Sequence, residues 1–210
     1  MKINLFGVGN YTEVMIELCR DCGYNQIDLH HYNESKTGEM LMGCKVFGTY
    51  DQFIETSNKT ELVAVAIGDN KKRGEWLDKF RRLGFSTPNL IHPKAYVASS
   101  VVIGKANYIH ANAFLWTKVR IANNCIVSPN AMIAHHTRIS RNCLISANSM
   151  VGSYNKLGNN VLFGIGACSL SDANISIGNH SIIGANSLVT TTIEKNTVVV
   201  GSPAKELKKL

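Results

Sequence analysis

From Val97 onward a large apolar residue recurs at every sixth position: Ile103, Ile109, Leu115, Ile121, Val127, Ile133, Ile139, Ile145, Val151, Leu157 and Phe163 continue the series without a miss. The phase then slips. An irregular stretch, Ser169 to Ser176, precedes its return at Ile177, Ile183 and Val189, which predicts a small loop carrying two extra residues. Four positions after the large residue stands a smaller or β-branched one (Val101, Ala113, Val119, Cys125, Ala131, Thr137, Cys143, Ser149, Val161, Ala167, Ser181, Ser187), with Asn107 and Asn155 as exceptions. An α-helix repeats every 3.6 residues and a strand every two, so neither accounts for a period of six. A coil with one short flat face per six residues does. If three such faces close a triangular turn, the large residues stack down the interior and the small ones pack beside the corners. Gly104, Gly152, Gly158, Gly164, Gly178 and Gly184, each directly after the aliphatic position, mark places where the backbone turns or packs closely. Roughly five coils are implied, each needing its neighbours to bury its interior.

Residues 1–88 follow a different pattern. Ile3 to Phe6 reads as a strand running into Gly7-Val8-Gly9, and Tyr11 to Cys22 as a helix with Val14, Leu18 and Cys22 on one face. Gln26 to Leu29 and Glu61 to Ile67 read as further buried strands, and Asn70 to Leu83 as an amphipathic helix ending at Gly84. That order predicts a small Rossmann-like parallel α/β domain over 1–88, a coil domain over 89–197, and a tail over 198–210 that covers the last coil.

Composition narrows the function classes. Apolar residues make up 45% of 210, enough for a real core. No run approaches the roughly 18 apolar residues a membrane span needs, and Met1 to Gly9 reads as a buried strand rather than an export signal. A cytoplasmic protein with no membrane partner is expected. The six cysteines form no framework, and the lone C-x-x-C, Cys19 to Cys22, lacks a second pair, so reduced packing thiols and no metal are expected. The net charge of +7 is spread out, concentrating only at Lys71-Lys72-Arg73, Arg81-Arg82 and Lys205 to Lys209. Phosphorylated small molecules fit that distribution better than nucleic acid.

With the hexapeptide register, the N-terminal Gly-x-Gly, the Leu90-Ile91-His92-Pro93 junction and the closing Gly201-Ser202-Pro203-Ala204-Lys205, the whole chain resembles the left-handed parallel β-helix nucleotide-sugar N-acetyltransferases related to the sialic-acid O-acetyltransferase group. The resemblance implies acetyl-CoA as co-substrate, a nucleotide-linked (UDP or dTDP) 4-amino-4,6-dideoxy sugar as acceptor, a role in glycan biosynthesis, and a homotrimer. It also implies a histidine base at one coil turn, which the segment Ile133-Ala134-His135-His136-Thr137 supplies as His135. The chemistry agrees: an amine attacking a thioester sheds a proton, and an imidazole titrating near about 6.5 takes it at neutral pH. Where relatives carry an acidic residue to orient the base, this chain has His136. A second histidine, nine residues beyond the base, is Leu144 here. By the same resemblance Gly152 and Ser153 supply the amide for the oxyanion, Ile165 and Ala185 line the pantetheine arm, and Lys205 meets the phosphates of coenzyme A.

Gly7-Val8-Gly9-Asn10-Tyr11-Thr12 follows a strand and opens a helix, a place suited to phosphate. Thr12 replaces the third glycine of a dinucleotide fingerprint, and His30-His31-Tyr32 stands where its acidic residue belongs, so a dinucleotide cofactor is not expected. The resemblance assigns this pocket to the nucleotide of the sugar, with Gly7, Gly9, Asn10, Tyr11, Thr12, His31, Tyr32, Gly68 and Asn70 as its contacts. Competing readings are O-acetylation of a sugar or small hydroxy acceptor, and a silent nucleotide-sugar-binding homologue. A β-helical carbonic anhydrase is disfavoured, because its His-x-x-x-x-His pairing is missing.

Overall fold

The computed structural model describes residues 1–210 in full, as two compact units, Met1–Leu90 and Ile91–Leu210. No helix is long and apolar enough to cross a membrane.

The first unit runs β1 (Lys2–Phe6), α1 (Asn10–Asp21), β2 (Gln26–His31), β3 (Met40–Leu41), β4 (Cys44–Thr49), α2 (Tyr50–Thr56), β5 (Val63–Val65) and α3 (Asn70–Arg82). Its sheet has the order β3-β4-β2-β1-β5. β1, β2, β4 and β5 are parallel, and β3 folds back on β4 as a hairpin. The chain leaves β1 first toward β2 and later toward β5. The carboxyl end of β1 therefore lies where the strand order switches, the usual ligand position in open α/β sheets. Residues 34–56, for which the pattern predicts no element, supply a hairpin and α2. α1 also differs in its buried face: Thr12, Met15, Ile16 and Cys19 turn inward with Leu18, whereas Val14 is 45% exposed. The 12-15-16-19 stripe carries more apolar bulk at helical spacing than the 14-18-22 edge, so packing selects it.

The second unit is a β-helix of two-residue strands, in each of which the second residue points inward, as at Leu115, Ile133, Val151 and Phe163. Strand pairing sets the coil length: Val102, Arg120, Arg138 and Lys156 are successive register partners, eighteen residues apart. Three sheets result. One presents Tyr96, Phe114, Met132, Met150, Cys168 and Leu188 outward; the second presents Val102, Arg120, Arg138, Lys156 and Ser176; the third includes Tyr108, Ile126, Leu144, Leu162 and Ile182. We refer to the first two as the apolar and the basic face.

Both off-pattern residues, Asn107 and Asn155, are fully buried. Asn107 Oδ1 accepts from the Cys125 amide at 2.8 Å, and Asn155 Nδ2 donates to the Ser153 and Leu170 carbonyls. Amide side chains thus replace apolar ones where a corner needs extra hydrogen bonds. The glycines are explained by closeness rather than turning: a Cβ on Gly164 would stand 2.5 Å from the Ile183 carbonyl oxygen of the next coil. The turning is done by left-handed residues, chiefly asparagines such as Asn112, Asn124, Asn130, Asn142 and Asn148, with φ between 56° and 61°. The irregular stretch is shorter than expected, because Cys168–Ser169 is still a strand with Ser169 buried in the inward slot. The two extra residues fall in 170–174. The tail does not simply cap the coil: Thr197–Val200 extends the third sheet in parallel, and Lys205–Lys209 pairs back on it antiparallel.

Two buried histidines tie the fold to pH. His30 lies against Phe6 and Phe53, at 4.9 and 4.7 Å between ring centroids, with Nε2 3.1 Å from Asn4 Oδ1. Burial lowers its pKa to about 4, against the opposing pull of Asp28. His110 is likewise lowered to about 4, by burial and then by the charge of His92. In the unfolded chain both titrate near about 6.5, so the unfolded state binds the extra protons between these values. The stability they contribute is complete above that range and is lost as pH falls toward 4. Denaturant unfolding between pH 7 and pH 4 is expected to show this decline, and His30→Gln with His110→Gln to flatten it whatever the variant's starting stability. An unchanged slope in that variant would reject the assignment.

Candidate active site

The site candidate is the corner between the apolar and basic faces. His135 and His136 follow the strand Met132–Ile133, and His136 occupies the left-handed turn position at φ 61°. Histidine is among the residues that tolerate this conformation. Coil spacing places Ser100 and Lys118 on one side of His136 and Tyr154 on the other, in a column. The His136 ring stacks on Tyr154 at 4.8 Å and 14°. His135 is half-buried between the edges of Trp116 and Tyr154, at 5.3 and 5.4 Å between centroids.

The two imidazoles meet through Nδ1 atoms 3.1 Å apart. One must donate and the other accept. When the His135 Nδ1–H donates to His136 Nδ1, His135 Nε2 is left with its lone pair and can take a proton. In that tautomer His136 accepts from His135, at the place in the segment where the resembled family carries an acidic residue. Leu144 is on the third face, half-buried, and shares no corner with His135.

The expected acetyl-CoA residues fall in three places. Gly152 and Ser153 are one coil beyond His135 in the same corner, with the Tyr154 amide donating to the His135 carbonyl. Both amides are engaged: Gly152 N–H donates to Ser169 Oγ at 2.9 Å and Ser153 N–H to Ser171 Oγ at 3.3 Å. An acyl oxygen reaches the Ser153 amide only by displacing the Ser171 hydroxyl, the longer and weaker of the two contacts. Ile165 and Ala185 share a different corner, across the apolar face, joined through the Asn186 amide to the Ile165 carbonyl; Ile165 is 59% exposed. Lys205 begins the last strand and is exposed.

Around the carboxyl end of β1 the expected nucleotide contacts divide. Gly7, at φ 133°, passes so near β5 that a Cβ would stand 2.7 Å from the Ala66 oxygen. Gly9 caps α1, and Asn10 and Tyr11 form its first turn at the surface. Thr12 is closed off from solvent and its Oγ1 accepts from Gly9 N–H, so it shapes the turn rather than facing a ligand. Asn70 Oδ1 and the Gly68 carbonyl both accept from Arg73. His31 is buried with Nδ1 accepting from the Asn33 amide, and Tyr32 lies against it, 75% exposed.

Several participants were not singled out from the sequence. Arg73, counted there in the basic run Lys71-Lys72-Arg73, is fully buried and holds the loop after β5. Trp116, Lys118, Arg120, Arg138, Tyr154 and Lys156 surround the His135 corner and the groove beside it. Steps of eighteen residues, 118-136-154 and 120-138-156, would have found most of them.

Residues 2–80 match the family model of the PglD N-terminal domain. No curated protein matches the chain by sequence. Among solved structures, the acetyltransferase domain of PglB from Neisseria gonorrhoeae, in complex with acetyl coenzyme A, is 28% identical over 98% of both chains, with a TM-score of 0.91. PerB from Caulobacter crescentus, in complex with CoA and GDP-perosamine, is 26% identical over 99% of this chain and 98% of its own, with a TM-score of 0.89. WeeI from Acinetobacter baumannii, 19% identical over 99% of this chain and 100% of its own, shares the fold with a TM-score of 0.77. Residues 2–80 thus match the PglD N-terminal domain, and over its full length the chain is similar in hexapeptide-repeat fold to the left-handed β-helix sugar N-acetyltransferases PglB and PerB.

Proposed function

We propose that the chain is an acetyl-CoA-dependent N-acetyltransferase acting on the amine of a nucleotide-linked 4-amino sugar, with His135 as general base. The observation that carries this reading is the half-buried corner at which His135, lodged between Trp116 and Tyr154, meets His136 through Nδ1, a contact whose one tautomer leaves His135 Nε2 free to accept. In the reaction the amine nitrogen forms a bond to the thioester carbon. His135 Nε2 takes the amine proton, the carbon–sulfur bond breaks, and the proton passes to the leaving thiolate, giving the amide and free CoA. Acetyl-CoA and a nucleotide-linked amino sugar are the ligands named for the PglB and PerB structures, and here they are the proposed co-substrate and acceptor. A UDP or dTDP linkage is the reading from the sequence. The GDP-perosamine bound by PerB adds GDP to the nucleotides worth testing.

Gly7, Gly9, Asn10, Tyr11, His31, Tyr32 and Gly68 are the proposed nucleotide contacts, with Thr12 and Asn70 as supports. The Ser153 amide is the proposed oxyanion donor after Ser171 turns aside, Ile165 and Ala185 the proposed pantetheine contacts, and Lys205 the proposed CoA phosphate contact. The enzyme would act in the cytoplasm, which supplies acetyl-CoA.

The functional test is thiol release from acetyl-CoA with a panel of UDP-, dTDP- and GDP-linked 4-amino sugars beside the matching hydroxy sugars. Release with an amino sugar alone is expected; release only with hydroxy sugars would make the enzyme an O-acetyltransferase. His135→Asn should then turn over at less than about a hundredth of the wild-type rate, the range for loss of a general base, while still binding acetyl-CoA. Unchanged turnover would discard His135 as the base.

A homotrimer is part of the same reading. Tyr96, Met132 and Met150 on the apolar face are 52%, 36% and 38% exposed and continuous with Phe114, a column suited to burial against a second copy. A trimer would also let the Ile165 and Ala185 corner of one subunit serve the His135 corner of the next. Light scattering after gel filtration should give the mass of three chains, and a monomer at micromolar concentration would reject this part.

A further inference from the structure

We propose that the groove along the basic face is a phosphate channel, in which Arg120, Arg138 and Lys156, with Lys118 at its corner, hold the diphosphate-bearing nucleotide end of a substrate. The inference deepens the acyl-transfer reading and rests on it for the two ligands considered, coenzyme A and the nucleotide-linked sugar. Both carry a nucleoside joined to a diphosphate.

The groove has a volume of about 500 Å³ and is lined by Lys118, Arg120, His136, Arg138, Tyr154 and Lys156, with Ser100 and Asn174 also on its wall. That volume falls in the range of small-ligand sites. Arg120 is the register partner of Arg138, and Arg138 of Lys156. Adjacent strands are about 4.8 Å apart, so three cations stand in a ladder. Like charges placed opposite one another across strands destabilise a sheet unless an anion joins them. Some cations elsewhere are paired: Lys2 with Asp28 and Glu61, Lys36 with Glu39, Lys79 with Asp51, and Arg81 with Asp78. Neither the three ladder cations nor Lys118 has an ion pair, and no carboxylate lines the groove. Asp172, the carboxylate of the same corner, accepts instead from Ser153 Oγ at 2.8 Å.

The residue types fit a diphosphate. Two neighbouring guanidinium groups offer planar, paired N–H donors to phosphate oxygens, and the two ammonium groups add mobile point charges. The location fits a substrate of the proposed reaction as well. His136 lines the groove, and its Nδ1 is the atom that meets His135. A nucleotide anchored on the ladder would have its far end directed along the groove to the corner that holds the proposed base.

The test is calorimetric binding of CoA, dephospho-CoA, UDP, dTDP and GDP to the full-length protein and to Arg120→Gln/Arg138→Gln, alone and with Lys156→Gln, at two ionic strengths. Thermal melts and assembly mass serve as controls, since these side chains are exposed and their replacement leaves the core intact. Removing the two guanidinium groups should weaken at least one ligand about tenfold or more and reduce the salt dependence of its binding. Equal losses for CoA and dephospho-CoA would place the diphosphate of coenzyme A in the groove, and loss of the preference for CoA over dephospho-CoA would place its 3′-phosphate there. A loss confined to a nucleoside diphosphate would identify the acceptor. Affinities all within twofold of wild type, or no binding of any of these ligands to the wild type, would overturn the channel. Binding is read without turnover, so absence of acetyl transfer alongside such losses would count against the proposed reaction and not against the channel.

Discussion

The stacking of inward residues at eighteen-residue register is the constraint on which the second unit depends. A two-residue strand has no stability alone, and one coil leaves its aliphatic interior open at both ends. Each coil is completed by the next through parallel pairing, such as Leu115 with Ile133 and Ile133 with Val151, and through amide-to-carbonyl bonds between equivalent positions. The corners must then turn sharply at the same place in every coil, which is why asparagine recurs there in the left-handed conformation. With the interior and the corners fixed, every outward residue is held in a column with its equivalents one coil above and below.

The His135 corner is one consequence of that alignment. His136 takes the left-handed position that asparagine fills elsewhere, and its neighbours in the column are Lys118 and Tyr154, also left-handed. Stacking of His136 on Tyr154 fixes the plane of its ring, and the ring then meets His135 through Nδ1. A fixed carboxylate would hold His135 by charge; here the contact is a hydrogen bond between two rings whose positions the coil sets. The two-residue insertion falls in the same corner, where Ser171 and Asp172 engage Ser153. The regular repeat supplies the rigid side of the site, and its single interruption supplies the side that contacts the turn amide.

Much of this was legible because a period of six has so few structural solutions. The inward residues from Val97 to Phe163, the slip near 170, and β1, α1, β2, β5 and α3 of the first unit followed from spacing, whereas β3, β4 and α2 did not. The eighteen-residue period was equally present in the sequence, yet it shows only when outward residues are compared, and those vary freely from column to column. Arg120, Arg138 and Lys156 therefore read as scattered charges until the coil aligned them. Arg73 was hidden for another reason: it follows Lys71 and Lys72 on a helix, and only the loop carbonyls of Ile67 and Gly68 show that its guanidinium points inward. The engagement of the Gly152 and Ser153 amides was illegible too, because Ser171 reaches that corner through an insertion whose path no periodicity specifies.

The columns also explain how one corner can present two different environments. The interior is the same aliphatic stack behind all three faces, so the outward chemistry of each face varies without disturbing it. At His135 the apolar column of Phe114, Met132 and Met150 lies to one side and the ladder of Arg120, Arg138 and Lys156 to the other. Covering the apolar face would remove water from one side of the imidazole while leaving the basic groove open to an anion. The general base proposed at His135 would gain from that asymmetry, because a drier wall would strengthen the His135–His136 hydrogen bond while the open wall still admitted the charged part of a substrate. Placing the proposed base at an edge where an apolar and a cationic column meet is therefore a means by which a regular repeat with one short insertion could build a site.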